Sequence, residues 1–270
     1  MLIIIRLLIL LILLLNKAYT NNIYIYADKG SCEECIQQCE KSFYDELTDD
    51  YQVYRITAAQ ILASGWQDNT ALLVIPGGKA GPYAELLAGK GNDLIRKYIE
   101  NGGAYLGFCA GAYYASASLE FAKGTSIEVI AERDLALFPG KIIGPALATY
   151  DYYSESGARA AKILTEGAEP LTIYYNGGGY FVEPQNYPNI NIIASYNNLS
   201  KNPAAIIQII LNKGKVILSS VHCEFNSNVL NRVDSTLAPE INNIEKGRRK
   251  LWRYLLESLG LNLKLDETGL

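Results

Sequence analysis

Histidine is almost absent from this sequence of 270 residues, because His222 is the sole example. Any reaction that needs an imidazole must therefore use His222. A site with two histidine ligands from one chain is excluded, and we expect neither a metal ion nor an organic cofactor. A basic excess is also lacking, since 24 Lys and Arg residues face 28 Asp and Glu residues. Nucleic-acid-binding proteins usually carry such an excess, so we expect no nucleic-acid partner.

Long apolar runs are lacking after the first residues of the chain. Residues 1–15 read MLIIIRLLILLILLL, which is short of the roughly 20 apolar residues that span a bilayer. A short run of this kind with one basic residue is typical of a secretory signal. We predict a signal peptide over residues 1–20, a secreted or periplasmic mature protein and no other membrane contact. If the segment is not cleaved, it anchors the protein.

Cysteine is scarce and odd in number, with five residues in the chain. Cys32, Cys35 and Cys39 form one cluster, whereas Cys109 and Cys223 stand apart. A zinc site takes about four such ligands and no second cluster exists, so metal binding is a minor alternative for the cluster. A local disulfide or buried thiols near a helix start is the favoured interpretation. A redox-active Cys-x-x-Cys pair is the alternative, because the dipole at a helix N-terminus lowers the pKa of a thiol.

The first half of the sequence alternates between short apolar runs and helical spacing. Hydrophobic residues make up 49% and charged residues 19%, which excludes a disordered chain. The apolar runs predict strands over residues 23–26, 51–56, 71–75 and 104–108, and the spacing predicts helices over residues 31–44, capped by Ser31, and 92–100. Apolar strands that alternate with helices are typical of a mostly parallel sheet covered on both faces.

The second half of the sequence contains more strands. They are predicted over residues 127–131, 135–138, 171–175, 190–195, 204–211 and 216–221, with helices over residues 110–119 and 245–259. Asn212-Lys213-Gly214 is expected to join the last two strands as a hairpin turn. No repeat or linker interrupts the chain after the signal segment, so we predict a single domain over residues 21–270.

A glycine-flanked cysteine follows the predicted strand at residues 104–108. The sequence there reads Gly107-Phe108-Cys109-Ala110-Gly111 and leads into an alanine-rich helical stretch. A G-x-nucleophile-x-G sequence between a strand and a helix is a nucleophile elbow, in which the glycines permit close approach of the backbone. A tight turn with a buried cysteine is the alternative. The context favours Cys109 as a nucleophile whose thiolate is stabilised by the helix N-terminus.

A base and an oxyanion site are predicted beside this cysteine. His222 ends a predicted strand, and Glu224 lies two residues later, where extended chain points both side chains the same way. Glu224 is thus placed to orient His222, although a purely structural His–Glu pair is the alternative. The N–H of Ala110 and the turn at Gly77-Gly78 are the predicted oxyanion donors.

Five sequence blocks together resemble the N-terminal domain family of biotin-protein ligases, within the class I glutamine amidotransferase-like superfamily. They are Ile75-Pro76-Gly77-Gly78, the block from Gly107 to Tyr113, Phe138-Pro139-Gly140 with Gly144-Pro145, the block from Tyr175 to Phe181, and Val221-His222-Cys223-Glu224-Phe225. The resemblance implies an α/β fold, a flavodoxin-like three-layer sandwich with a mostly parallel central sheet and extra strands in the second half. It also implies a triad of Cys109, His222 and Glu224, with Asn176, Gly177 and Gly178 close to it.

Two departures from the family pattern affect the expected function. Cys223 stands between His222 and Glu224, where amidotransferases usually have a proline, so we expect a less rigid loop. The biotin-binding loop of the ligases has no counterpart, since the segment from Lys246 to Arg249 lacks its second glycine and has helical spacing. We therefore predict no biotin ligase activity.

Three functions remain open from the sequence. The first is an exported thiol hydrolase or amidase that acts on an amide or ester of a small molecule or peptide. The second is a glutaminase, which export disfavours because released ammonia has no evident acceptor there. The third is a catalytically silent domain that binds a small molecule or partner. Five tyrosines are candidates to line an apolar cleft: Tyr113, Tyr114, Tyr150, Tyr152 and Tyr153. Oligomeric state stays open.

Overall fold

The computed structural model describes residues 22–165, 167 and 169–265. The predicted signal peptide lies outside these residues. The described part of the chain is an α/β structure in which thirteen strands form one mixed sheet. No helix in the described part is long and apolar enough to cross a membrane.

The strands at one side of the sheet are parallel. They are β1 (Asn22–Tyr26), β2 (Gln52–Ile56), β3 (Thr70–Ile75), β4 (Ala104–Phe108) and β13 (Gly214–Ser219), in the spatial order β2-β1-β3-β4-β13. Along β3, Leu73 and Ile75 enter one core, whereas Leu72 and Val74 enter the other. This alternation follows from the two-residue repeat of a strand, and it makes the apolar run bury both faces.

Helices cover both faces of the parallel part. One face packs against α1 (Glu33–Glu46) and α7 (Ile241–Leu259), and the other packs against α2 (Ala58–Ala63), α3 (Ala80–Leu87), α4 (Lys90–Glu100) and α5 (Ala110–Ala115). A short helix α6 (Leu230–Val233) precedes α7. The result is the predicted three-layer sandwich with a mostly parallel central sheet.

The remaining strands extend the sheet in a mainly antiparallel way. From β13 the order continues through β12 (Ala204–Leu211), β10 (Tyr180–Phe181), β7 (Phe138–Gly144), β5 (Ser116–Phe121) and β6 (Val129–Glu132), and a branch from β12 runs through β11 (Ile190–Tyr196), β8 (Ala158–Thr165) and β9 (Leu171–Asn176). The predicted hairpin is confirmed, because Leu211 pairs with Gly214 and Asn212 has a φ of 53°.

Three predicted elements in the second half need correction. The helix over residues 110–119 ends at Ala115, because β5 pairs with both β6 and β7 from Ser116 onward. Strand pairing thus overrides the local helix preference. The strand over residues 135–138 is wrong, since Ala136 has a φ of 40° and β7 begins only at Phe138. The strand over residues 127–131 is shorter and begins two residues later, as β6 at Val129–Glu132.

The start of α1 also differs from the prediction. Cys32 rather than Ser31 is the N-cap, and its sulfur accepts the N–H of Cys35 at 3.2 Å. The Ser31 hydroxyl instead donates to the carbonyl of Tyr26 at 3.3 Å. Sequence reasoning missed α2 as well, although its capping box of Thr57 and Gln60 is a recognisable signal.

Candidate functional site

Three neighbouring parallel strands end at the same edge of the sheet. Ile75 of β3 pairs with Gly107 of β4, and Phe108 of β4 pairs with Ser219 of β13. The residues that follow these strands therefore meet, and they include the predicted nucleophile, base and oxyanion turn. This is the edge where open α/β sheets place their binding sites.

Cys109 lies on a strained turn between β4 and α5. Its φ of 45° and ψ of −101° are unusual for a residue with a side chain. A Cβ at Gly107 would lie 2.9 Å from the backbone of Gly111, and a Cβ at Gly111 would lie 2.1 Å from the carbonyl oxygen of Ile75. Both glycines are thus required by close backbone contacts, as the elbow sequence predicted.

The backbone fixes Cys109 on both sides. Its N–H donates to the carbonyl of Ser219 at 2.8 Å, and its carbonyl accepts the N–H groups of Ala112 and Tyr113 at 3.0 Å each. The thiol lies 3.6 Å from the carbonyl oxygen of Asn176. Cys109 is therefore held at the sheet edge, with its sulfur directed towards the loop after β9.

His222 and Glu224 form a buried pair beside this thiol. The Nδ1 atom of His222 lies 2.7 Å from Oε1 of Glu224, and the side chains are 3% and 0% exposed. The other carboxylate oxygen of Glu224 is buried without a hydrogen-bond partner among the described residues. Because Nδ1 bonds to the carboxylate, Nε2 is the imidazole nitrogen that can interact with the Cys109 thiol.

Opposing effects act on the His222 imidazole. Burial alone lowers the pKa of His222, because a charged ring loses its hydration. The charge of Glu224 and the hydrogen bond and charge of Cys109 outweigh burial, so the pKa of His222 is raised well above its ordinary value. The pair therefore favours an imidazolium beside the Cys109 thiol.

The loop that carries His222 is held from two sides. The N–H of His222 donates to the carbonyl of Tyr174 in β9 at 2.9 Å, and Phe225 stacks on the Tyr174 ring at 4.9 Å. From α7, the buried Arg248 donates to the carbonyl of Cys223 at 2.5 Å. Arg248 thus holds Cys223, the residue that stands where amidotransferases usually have a proline.

The predicted oxyanion groups line cavities that Cys109 also lines. Ala110 is the first residue of α5, so its N–H has no partner within the helix. A Cβ at Gly77 would lie 3.0 Å from Cε1 of His222, and a Cβ at Gly78 would lie 2.1 Å from the carbonyl oxygen of Gly30. The turn after β3 therefore approaches the base as closely as glycine permits.

The segment after β9 closes the site from the other side. A Cβ at Gly177 would lie 2.6 Å from the ring of Tyr150, and a Cβ at Gly178 would lie 1.8 Å from the carbonyl oxygen of Ser220. The side-chain Oδ1 atom of Asn176 is buried without a partner among the described residues. The structure thus brings Asn176, Gly177 and Gly178 to the site, as the family resemblance implied.

Two cavities meet at Cys109. The aromatic cavity, of about 310 Å³, is lined by residues that include Tyr113, Phe121, Arg133, Tyr150 and Tyr152. The cysteine cavity, of about 290 Å³, is lined by residues that include Cys32, Cys35, Tyr174, His222 and Phe225. Of the five predicted cleft tyrosines, Tyr114 is buried in the core and Tyr153 is 90% exposed. Among the described residues no group of three or more His, Cys, Asp or Glu side chains is placed to hold a metal ion.

Comparison with known families decides the membership of the chain. The sequence model of the family "Biotin-protein ligase, N terminal" matches residues 21–269. The chain belongs to this family. It is 34% identical over 254 residues to the biotin–protein ligase of Schizosaccharomyces pombe, covering 91% of this chain and 39% of that protein.

A second relative of this family member comes from a bacterium. An uncharacterized protein of Chlamydia muridarum is 41% identical over 162 residues, which cover 59% of this chain and 62% of that protein. The chain thus spans less than two thirds of the length of either relative.

Solved structures give the same fold at low identity. One crystal structure of a glutamine amidotransferase superposes with a TM-score of 0.55 at 16% identity, covering 88% of this chain and 99% of the other. A glutamine amidotransferase of Thermotoga maritima gives a TM-score of 0.55 at 12% identity, covering 90% and 99%. The fold of this biotin-protein ligase N-terminal family member is therefore that of the class I glutamine amidotransferases.

Several residues at the site of this family member were not foreseen from sequence. Tyr174 and Arg248 hold the His222 loop, and Arg133 borders the aromatic cavity. Tyr174 and Arg248 are each distant in sequence from the residue that they hold. Only the position of Tyr174 beside the Asn-Gly-Gly-Gly block offered a signal.

Proposed function

We propose that this protein is a thiol hydrolase that cleaves an amide or ester of a small molecule or peptide. In this proposal Cys109 is the nucleophile, His222 is the base and then the acid, and Glu224 orients the imidazole. The observation that carries the proposal is the strained cysteine elbow beside a buried His–Glu pair. A backbone held at a φ of 45° costs stability, and such strain clusters at functional sites.

The first half of the reaction forms an acyl-enzyme. The Cys109 sulfur attacks the substrate carbonyl, and the thiol proton resides on Nε2 of His222. The N–H groups of Ala110 and Gly78 stabilise the negative oxygen that develops. The imidazolium then donates its proton to the departing amine or alcohol, which leaves a thioester on Cys109.

The second half of the reaction releases the acid. Neutral His222 takes a proton from water, and the resulting hydroxide attacks the thioester carbonyl. The Cys109 thiolate leaves and is stabilised again by the imidazolium. The Glu224 carboxylate keeps the proton of Nδ1 in place throughout, so that Nε2 stays directed at the sulfur.

The aromatic cavity is the proposed site for the acyl group. Its volume of about 310 Å³ suits a compact group, and its walls are mainly apolar, with four aromatic rings. The Nε atom of Arg133 is buried without a hydrogen-bond partner among the described residues. A carboxylate on the substrate would satisfy this N–H by a charge-assisted bond. We therefore place amides whose acyl side bears a carboxylate first among substrates.

Hydrolysis of an amide panel with and without such a carboxylate tests the proposal. We expect turnover by the wild type, and Arg133→Met should raise KM for the carboxylate substrates much more than for their neutral analogues. Glutamine belongs in the panel because similar folds include glutamine amidotransferases. If the wild type hydrolyses no amide or ester, the hydrolase proposal fails. A ligand-induced rise in melting temperature would then favour a binding domain.

We also propose that the protein acts outside the cytoplasm after removal of residues 1–20. The apolar run of residues 1–15 supports this proposal. Intact-mass measurement of protein from its native host tests it. A mature mass that lacks residues 1–20 is expected, and a retained Met1 would overturn it.

A further inference from the structure

A pair of cysteines begins helix α1. Cys32 is the N-cap and Cys35 is the third helical residue, and the Cys32 sulfur accepts the N–H of Cys35 at 3.2 Å. Helix geometry separates the Cα atoms of such residues by about 5 Å. Disulfides span Cα distances of about 4.4–6.8 Å, so this pair is within bonding range.

Both sulfurs belong to the wall of the cysteine cavity. Cys32 is partly exposed there, whereas Cys35 is 5% exposed. A Cβ at Gly77 would lie 2.9 Å from Sγ of Cys35 and 3.0 Å from Cε1 of His222. The Cys35 thiol and the His222 ring therefore flank Gly77. Because Cys32 is the more exposed of the two cysteines, a small molecule that enters this cavity reaches Cys32 before Cys35.

We propose that Cys32 and Cys35 form a redox-active dithiol that exchanges with small organic disulfides in the cysteine cavity. This activity is independent of hydrolysis at Cys109. It gives α1 a reversible disulfide at its first turn, next to the base of the proposed triad.

The two thiols are unequal in a way that assigns their roles. A hydrogen bond from Cys35 and the nearby His222 lower the pKa of Cys32 to about 7 against the effect of its burial. The hydrogen bond to Cys32 and burial raise the pKa of Cys35 well above its ordinary value. Cys32 is therefore the attacking thiolate, and Cys35 resolves the mixed disulfide.

The exchange balances with the external disulfide as oxidant. The Cys32 thiolate attacks one sulfur of the disulfide RSSR, and the electrons of the broken S–S bond leave on the first RS⁻. Cys35 then gives its proton to solvent and attacks the Cys32 sulfur, which expels the second RS⁻. The protein dithiol loses two electrons, and RSSR becomes two RSH after protonation.

Cys39 provides a matched control on the same helix. It is fully buried in the core that contains Phe43 and Trp252, and burial is the main reason that its pKa is raised well above the ordinary value. No cavity described above includes Cys39 in its wall. It should therefore exchange far more slowly than Cys32.

Equilibration of the full chain with glutathione buffers, followed by alkylation and peptide mass mapping, tests the proposal. The wild type and Cys39→Ala should both form one internal disulfide between Cys32 and Cys35. Cys35→Ser should accumulate one glutathione on Cys32, and Cys32→Ser should lose at least about tenfold in the rate of adduct formation. Cys109→Ser should form the same disulfide, which separates this activity from hydrolysis.

Two outcomes overturn the proposal. One is that glutathione modifies Cys109 or Cys39 while Cys32 and Cys35 remain reduced in the most oxidising buffer. The other is a disulfide that joins Cys32 to Cys109, because the cavity would then contain a different pair. Failure of amide hydrolysis leaves the prediction for Cys32 and Cys35 unchanged.

Discussion

Two helices begin at the cysteine cavity, and each has a cysteine at its N-cap. Before α1, Cys32 has an ordinary extended backbone with φ −84° and ψ 119°, and its sulfur caps its own helix. Before α5, Cys109 has φ 45° and ψ −101°, and its side chain makes no cap hydrogen bond. The same position in a helix thus gives two different thiols. The backbone conformation at the N-cap decides whether the sulfur accepts a capping hydrogen bond, as in Cys32, or lies beside His222, as in Cys109.

Replacement of each cysteine by serine gives the largest expected difference. Cys109→Ser should reduce amide hydrolysis by at least about 10³-fold, because a hydroxyl is a much poorer nucleophile with the same base. Cys32→Ser should keep most of the turnover, since Cys32 forms no bond to the acyl group. Steady-state kinetics on a substrate of the wild type measures both, with Cys39→Ala as control. Equal losses of hydrolysis in Cys109→Ser and Cys32→Ser would contradict the proposal that only Cys109 is the nucleophile.

The strained turn itself is tested by alanine at its glycine. Gly111→Ala should destabilise the protein by about 3 kcal/mol, because the new Cβ would lie 2.1 Å from the carbonyl of Ile75. Gly81→Ala in α3 is the control, since nothing lies within 4 Å of a Cβ there and alanine favours a helix. Urea unfolding measures both free energies. Similar stabilities for the two variants would contradict a close-packed elbow.

The base is tested by Glu224→Gln. Burial lowers the pKa of His222, whereas the neighbouring Glu224 and Cys109 raise it. Loss of the Glu224 carboxylate should therefore lower the pKa of His222. A histidine whose pKa is higher in the folded than in the unfolded state stabilises the fold. This stabilisation is complete at pH values below the unfolded-state pKa of about 6.5, and it is lost as the pH rises through the folded-state pKa. The variant should therefore lose most stability relative to the wild type near about pH 5.5–6.5, and the difference should shrink at higher pH.

The single histidine makes this experiment direct. Imidazole NMR signals of the folded protein belong to His222 alone, and urea unfolding across the pH range gives the stability. Glu34→Gln is a control, because Glu34 is on the surface and pairs with Arg232. An imidazole that titrates identically in Glu224→Gln and the wild type would contradict the coupling.

The smallest expected effect is on the free energy of unfolding when each N-cap cysteine is replaced. Cys32→Ala should cost about 0.5 kcal/mol, because the sulfur that accepts the Cys35 N–H is lost. Cys109→Gly should instead stabilise the protein by up to about 1 kcal/mol, since glycine adopts a positive φ without strain. Thermal unfolding of the two variants measures the opposite signs. A destabilised Cys109→Gly would mean that the elbow stores no strain.

The parallel part of the sheet was predictable because its information is local. Runs such as Ala71-Leu72-Leu73-Val74-Ile75 bury both faces, so they read as strands without knowledge of their partners. The proximity of Cys109 and His222 was predictable for a similar reason. Cys109 directly follows β4 and His222 lies shortly after Ser219, the last residue of β13, and these neighbouring parallel strands end side by side.

What was missed depends on partners that are remote in sequence. Ser116 to Phe121 is a strand only because β6 and β7 lie beside it. The guanidinium of Arg248 reaches Cys223 because α7 packs against β13. Ser31 is a better cap by preference than a cysteine, yet its hydroxyl bonds to Tyr26 instead.

The contact between Arg248 and the His222 loop has a consequence for synthesis of the protein. A chain grows from its N-terminus, so Cys109, His222 and Glu224 all leave the ribosome before α7. The carbonyl of Cys223 is unheld until Arg248 arrives, and the ring of Trp252 completes the packing on Phe108 at 6.0 Å. A nascent chain that already contains Cys109, His222 and Glu224 therefore lacks this hydrogen bond to the His222 loop until α7 has been made. The order of synthesis therefore places the support of the His222 loop after the residues that it supports.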